Sequence, residues 1–305
     1  MSSLDENPGP TAGRAYMLLC GTTMCWAANA IFGQLAVGEV SPMAMVMFRW
    51  VFVVVLMVLF ARRHVARDWP VLRRHLWFIG IAGAVGFTLF NSLFYVAAHT
   101  TTAVNVGILQ GSVPMFVLIG VFLVYRTPVT VLQSVGVVIT MVGVAYITAA
   151  GDFGNLAALQ ISPGDGLMIA ACVLYAGYTV ALRNRPAVSP LGMFTVMALF
   201  ALLTALPLAA AEAAIGQFQM PSLYGWGVIS LVALFPSFLA QIFFIQGVEI
   251  IGPSRAGVFV NLVPIFAAIA AVVILGEPFE MFHLAGMALV LGGIWLSEKG
   301  KPRAS

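Results

Sequence analysis

The sequence predicts an all-α membrane protein whose ten transmembrane helices form two inverted five-helix repeats around a central cavity. Three observations carry that expectation. The chain is 61% hydrophobic and only 8% charged, against roughly 25% charged in a soluble domain, so lipid must solvate most of its exterior. Its basic residues gather in alternate connecting segments. Its two halves match at an offset of about 150 residues, the separation of Pro114 and Pro264.

A spanning helix needs about 20 mostly apolar residues. The runs that qualify are Ala15–Val37, Met43–Ala61, Leu76–Ala98, Ala103–Tyr125, Val129–Ala150, Gly166–Leu182, Leu191–Ala211, Tyr224–Val248, Ala256–Leu275 and Phe279–Leu296. Helices are the only open-chain choice, because unpaired backbone groups are too costly in hydrocarbon. The separators carry turn chemistry: Ser41-Pro42, Thr127-Pro128, Ser162-Pro163-Gly164, Ser189-Pro190, Gly252-Pro253 and Glu277-Pro278. The start, with Arg14, an apolar stretch and Ala28-Asn29-Ala30, has the look of a cleavable signal peptide. It is read as retained, because the repeat needs the first helix as a partner for the sixth.

Orientation follows from Lys and Arg. With the N-terminus inside, the inner segments hold Arg14; Arg62, Arg63, Arg67, Arg73 and Arg74; Arg126; Arg183 and Arg185; Arg255; and Lys299, Lys301 and Arg303. The outer loops hold acids instead: Glu39, Asp152, Asp165, Glu212, Glu277 and Glu280. Both termini are therefore expected in the cytoplasm. Cys20, Cys25 and Cys172 lie in apolar runs without metal-ligand spacing and read as reduced, buried thiols.

The repeat places Val113-Pro114-Met115-Phe116 over Val263-Pro264-Ile265-Phe266. Without a gap, Phe94 then falls on Phe244, Gly107 on Gly257, Pro128 on Pro278, Gly136 on Gly286 and Gly143 on Gly293. At a slightly shorter offset, Ser41-Pro42 falls on Ser189-Pro190 and Trp26-Ala27 near Tyr175-Ala176. The halves divide at 1–150 and 151–305. Five helices per half is an odd number, so the second half enters the membrane from the opposite side. Such inverted repeats recur in secondary transporters, which rock two halves about a central site.

Ten helices in two fives, the runs before Pro114 and Pro264, the Gly276-Glu277-Pro278 turn and the Phe48-Arg49 pair resemble the drug/metabolite transporter (DMT) superfamily, and within it the EamA type. The texture is most similar to the amino-acid exporters of the YddG type. The first half departs from the pattern, with Arg126-Thr127-Pro128 at the turn that matches Gly-Glu-Pro. The resemblance implies a transporter in the cell membrane, a bacterial inner membrane, with a central path walled by helices one, three, four, six, eight and nine.

Polar residues inside the helices are few: Asn29, Arg49, Asn91, Tyr95, Asn105, Gln110, Tyr175, Tyr178, Gln241, Gln246 and Asn261. Such groups normally face the bundle interior or a wet cavity. The candidate substrate-binding residues are Trp26, Asn29, Asn91, Tyr95, Gln110, Tyr175, Tyr178, Gln241 and Asn261. Aromatic faces with a few amides suit a small molecule with an apolar body and a polar head. Each of these can equally serve packing or interhelical bonding. Asn91 aligns with Gln241, and Gly111 with Asn261, which raises those positions.

Pro114 and Pro264 each free the carbonyl four residues back, at Gln110 and Val260, and read as hinges or as static kinks. Arg49 is the one charge well inside the hydrocarbon. It reads either as a magnet for a substrate carboxylate or, the favoured reading here, as a fold-holding donor to helix-end carbonyls. No acid lies mid-helix, and His99 and His283 fall near helix ends, so weak or absent proton coupling is expected.

The partners expected are the lipid bilayer and a small-molecule substrate, amino acids or related metabolites. No nucleic acid, metal or cofactor is called for. A monomer is one reading of an assembly state that the sequence leaves open. Drug-like and lipid-linked substrates stay open as alternatives, as does a receptor or scaffold. A membrane enzyme would need paired acids, a Ser/His pair or a metal cluster, and ATP use would need a P-loop; the sequence offers none of these.

Overall fold

A computed structural model describes residues 10–126, 128–154, 162–251, 256 and 259–300. Thr127, Gly252-Pro253, Arg255, Gly257, Lys301 and Arg303 lie outside the described residues. Helices dominate, and no strand occurs among the described residues. In chain order they are α1 Pro10–Leu35, α2 Pro42–Leu72, α3 Leu76–Ala97, α4 Ala103–Tyr125, α5 Val131–Thr148, α6 Pro163–Ala181, α7 Pro190–Ala214, α8 Leu223–Ile251, α9 Val260–Leu275 and α10 Met281–Lys299. Seven are long and apolar enough to cross a bilayer, and α5, α9 and α10 are shorter apolar helices.

The helix starts follow the turn chemistry. Ser-Pro pairs open α2, α6 and α7, with serine at the N-cap and proline in the first turn, where its missing N–H costs nothing. Thr130 and Gln133 close a reciprocal capping box at the start of α5. One boundary differs markedly from the sequence reading. The apolar run ends at Ala61, yet α2 continues to Leu72. Beyond the apolar stretch come Arg62, Arg63, His64, Arg67 and Asp68, so hydropathy falls before the helix ends. The extension carries Asp68, which has a structural task.

That task is a reciprocal cap. Asp68, near the end of α2, accepts the Ser189 N–H at 2.8 Å and the Ser189 hydroxyl at the start of α7. Glu212, near the end of α7, accepts the Ser41 hydroxyl at 2.5 Å and the Met43 N–H at 3.1 Å at the start of α2. Each of these antiparallel helices thus places a carboxylate on the other's N-terminus, where the helix dipole favours negative charge. Glu212 is buried. Glu212→Ala is expected to cost about 2–3 kcal/mol, because it strips a buried hydroxyl and a helix N–H of a charged partner. Glu212→Gln should cost less, since its amide oxygen still accepts. Thermal melting of detergent-purified protein would rank the two; equal melting points would refute the role.

Small residues set the second antiparallel pair, α5 with α10. A Cβ on Gly136 would run into the carbonyl oxygen of Gly293, and one on Gly293 into the carbonyl oxygen of Gly136. A Cβ on Gly143 would come within 3.0 Å of the Gly286 carbonyl oxygen. Backbones packed this closely leave no room for side chains, which is how small residues drive helix association in lipid. The Gly-Glu-Pro turn ties these elements to α4. Gly276 ends α9 at φ +68, a left-handed conformation that glycine adopts freely. Glu277 then reaches across to accept the backbone N–H groups of Ala103 and Val104, both at 2.9 Å. At the matching turn of the first half, Arg126 takes φ +52 without being glycine.

Arg62, Arg63, Arg67, Arg126, Arg183 and Lys299 gather at one end of the bundle, called here the basic end. Glu39, Asp165, Glu212 and Glu277 lie at the opposite, acidic end. The flanks of the bundle expose large apolar side chains, among them Leu59, Phe60, Val131, Leu223 and Val273. Water would penalise such a surface; hydrocarbon accepts it.

Candidate functional site

Four helices change their winding near the middle of the bundle. A π turn spans Ala84–Leu89 in α3, and another spans Ala233–Leu239 in α8. Each wide turn leaves ladder bonds out of register and re-aims nearby side chains, which is why such turns gather at functional sites. In α4 the α-helix stops at Gln110 and restarts at Val113. Between them, Gly111 and Ser112 donate to carbonyls only three residues back. In α9 a 3-10 turn at Val260–Leu262 precedes Val263–Ala270. Pro114 and Pro264 sit in the first turns of the resumed helices. The kink expected from proline alone is therefore a full interruption, with the tight turn displaced to the residues before the ring.

Two cavities meet around these interruptions. The larger, of about 820 Å³, extends from Trp26, Pro114, Tyr175 and Gln241 to Gln133, Arg185, Glu249 and Ser297 at the basic end. The smaller, of about 150 Å³, lies deeper and is walled by Asn29, Arg49, Asn91, Gln110, Ser237 and Asn261 with aromatic neighbours. Trp26, Val113, Pro114, Tyr175, Phe194, Gln241 and Val260 border both. Together they make a funnel that narrows from the basic end to the mid-bundle interruptions, with a volume in the range of small-molecule sites.

A buried polar cluster lies at the funnel's tip. Arg49 is only 6% exposed. Its Nε donates to Ser237 Oγ at 2.9 Å, and its Nη1 to Asn91 Oδ1 at 2.6 Å, Tyr95 Oη at 2.8 Å and, more weakly, Asn29 Oδ1 at 3.4 Å. Tyr95 donates in turn to Asn29 Oδ1 at 3.0 Å. Asn91 Nδ2 donates to the Phe87 carbonyl at 2.6 Å, and Ser237 Oγ to the Val232 carbonyl at 2.8 Å, which lies four residues before Pro236 and so lacks its helical N–H partner. Trp50 stacks on Phe87 at 5.0 Å beneath the guanidinium. Arg49 thus binds side chains of α1, α3 and α8, not the helix-end carbonyls expected from the sequence.

The candidate substrate residues divide by position. Trp26, Tyr175 and Gln241 border both cavities; Asn29, Asn91, Gln110 and Asn261 border the smaller, and Tyr178 the larger. Tyr95 borders neither: it is 2% exposed and stands behind the cavity wall as an acceptor for Arg49. Ser237, Trp50, Phe87 and Phe194 went unnoticed in the sequence. Serine and phenylalanine are too common in apolar helices to stand out; Ser237 and Phe87 each lie within a π turn. Glu249, near the end of α8, also went unnoticed and borders the mouth of the funnel.

The acidic end is closed by hydrogen bonds among the same helices. Asp165 of α6, only 2% exposed, accepts from the Thr101 hydroxyl and from Asn105 Nδ2 at 3.2 Å. Gln34 of α1 donates to the Thr101 carbonyl and Ser162 to the Thr100 carbonyl, each at 2.5 Å. Glu277 pins the start of α4 from the α9–α10 turn.

The model of the EamA-like transporter family matches the chain twice, over residues 13–149 and 162–298. Two transporters of Bacillus subtilis (strain 168), both described as uncharacterized, are similar along nearly the whole chain. YetK is 28% identical over 296 residues, covering 95% of this chain and 89% of its own length. YyaM is 26% identical over 290 residues, covering 92% of each. One crystal structure shares the fold, with a TM-score of 0.62 over 93% of this chain and 96% of the other, at 20% identity.

Proposed function

The chain belongs to the EamA-like transporter family, and on that premise we propose that it exports small metabolites, amino acids with aromatic or neutral side chains, by alternating access. The funnel carries the proposal. It is open towards the basic end, hydrogen-bonded shut at the acidic end, and lined at its tip by aromatic rings and unbonded amides. Gln110, Gln241 and Asn261 make no side-chain hydrogen bond among the described residues, although each borders a cavity. Groups of this kind can exchange water for a ligand at little cost.

In this reading the ten helices all cross the membrane, as two inverted repeats over 1–150 and 151–305. Several reciprocities support it. At an offset of about 150, Gly136 pairs with Gly286 and Gly143 with Gly293; in space Gly136 meets Gly293 and Gly143 meets Gly286. A twofold relation between antiparallel elements gives this exchange of partners. The π turns of α3 and α8 fall at matching places, and Gly86, Asn91, Pro114 and their counterparts Pro236, Gln241, Pro264 all border the smaller cavity. The basic end faces the cytoplasm of a bacterial cell, with both termini on that side.

Proteoliposomes loaded with a panel of neutral amino acids and of cationic drugs would test this, with and without a pH gradient. Efflux of aromatic or neutral amino acids, well above empty liposomes and without need of the gradient, is expected. Movement of none of them would overturn the amino-acid assignment, and uphill accumulation driven by the gradient would overturn the uncoupled mechanism.

A further inference from the structure

The guanidinium at the funnel's tip has no acid beside it. All four of its side-chain partners, Ser237, Asn91, Tyr95 and Asn29, are neutral. The one ion pair among the described residues joins Arg67 to Asp68, far away at the basic end. The guanidinium is a cation, so a full positive charge sits in the bundle interior. Neutral acceptors spread that charge over their dipoles without cancelling it, and the low dielectric around them strengthens what remains.

One edge of the fork is unused. Nε and Nη1 are fully engaged, whereas Nη2 has no hydrogen bond among the described residues. Nor is Nη2 one of the buried atoms stranded without a partner, so it keeps access to the smaller cavity that Arg49 borders. In the same wall, the indole N–H of Trp50 is buried and has no acceptor among the described residues. An unmet Nη2 donor and an uncancelled cation face one small, aromatic-walled space, with the unmet indole N–H of Trp50 buried in its wall. A carboxylate answers both needs, because its oxygens can accept from the free Nη2 and its charge neutralises the site. An ammonium head alone would meet repulsion there.

We infer that the transported molecule is a small carboxylate whose anionic head docks on the free Nη2 edge of Arg49, and that molecules lacking a carboxylate are refused. This rests on the transporter reading of the same cavity, and it narrows that reading: the acid group is obligatory, while the amino group of an amino acid is optional. Gln110, Gln241 and Asn261 would then read the rest of the head.

The test uses full-length protein, purified in detergent for binding by tryptophan fluorescence and reconstituted for uptake. The probes are phenylalanine, phenylalaninamide, 3-phenylpropionate and a panel of other small carboxylates. Carboxylates are expected to bind at least about tenfold more tightly than the amide, the size of effect that a lost charge-assisted hydrogen bond gives. Arg49→Lys should keep part of this preference and Arg49→Gln should abolish it. Should Arg49→Gln fail to fold, the comparison of acid with amide in the native protein still decides. Amide and acid binding equally, or a panel in which no carboxylate binds, would overturn the inference. Movement of phenylpropionate without phenylalanine would overturn the amino-acid assignment and leave the inference standing; equal movement of phenylalanine and its amide would do the reverse.

Discussion

Gly293→Val is expected to abolish recovery of folded protein, whereas Gly292→Ala, one residue earlier, leaves it intact. The two glycines face opposite ways. A Cβ at position 293 would meet Thr140 Oγ1 and the Gly136 carbonyl oxygen well inside van der Waals contact; one at position 292 would meet nothing within 4 Å. At 293 the obstacle is backbone, which no rotamer change can move, so α5 and α10 must part. Overpacking alone costs about 1–3 kcal/mol, and separating the helices also forfeits the Thr130 hydroxyl bond to the Gly300 carbonyl and the packing of Ile147 over Gly286. Valine should exceed the upper figure. Gly292→Ala should gain about 0.5–1 kcal/mol from reduced backbone freedom. Size-exclusion profiles of the two detergent extracts would check this; a monodisperse Gly293→Val protein would show that the close approach is dispensable.

How much of this was legible beforehand depends on which physical signal carried it. Hydropathy and charge segregation act over whole segments, so the helices and the two differently charged ends could be read from composition. The offset of 150 located Gly136, Gly143, Gly286 and Gly293 but not their exchange of partners, which depends on how α5 and α10 lie in space. Tip residues such as Asn29, Asn91 and Gln241 stood out because amides are rare in apolar runs. Ser237 and Phe87 did not, since serine and phenylalanine are ordinary residues of apolar helices, although Gly86 and Pro236 beside them mark the π turns that hold both. Arg49 was visible as a charge and misjudged in its bonding: sequence shows that a cation is present, not that α1, α3 and α8 bring four neutral acceptors to it. Likewise Glu212 and Glu277 read as outer-loop charges, while both are caps on helices distant in sequence, as is Asp68, which the sequence reading did not single out.

Asp165→Ala is expected to shift the protein towards a state open at the acidic end. For the funnel to change sides, the ends of α1, α4 and α6 must separate where Asp165, Thr101, Asn105 and Gln34 now join them. These bonds exist only in the closed arrangement, so they bias the equilibrium by their full net worth. A hydrogen bond to a charged acceptor contributes about 1.5–3 kcal/mol, and removing it should raise the open fraction by about 10- to 100-fold. Asp165→Asn should shift less, because its amide oxygen can still accept from Thr101. A reporter cysteine in place of Gln110, at the funnel's tip, reads the change in a background where Cys20, Cys25 and Cys172 have been replaced. Maleimide applied from the acidic side should label it faster in Asp165→Ala, and maleimide from the basic side more slowly. The opposite signs matter: a general loosening of the bundle would speed labelling from both sides, and unchanged rates from both sides would mean that the network around Asp165 does not hold the gate.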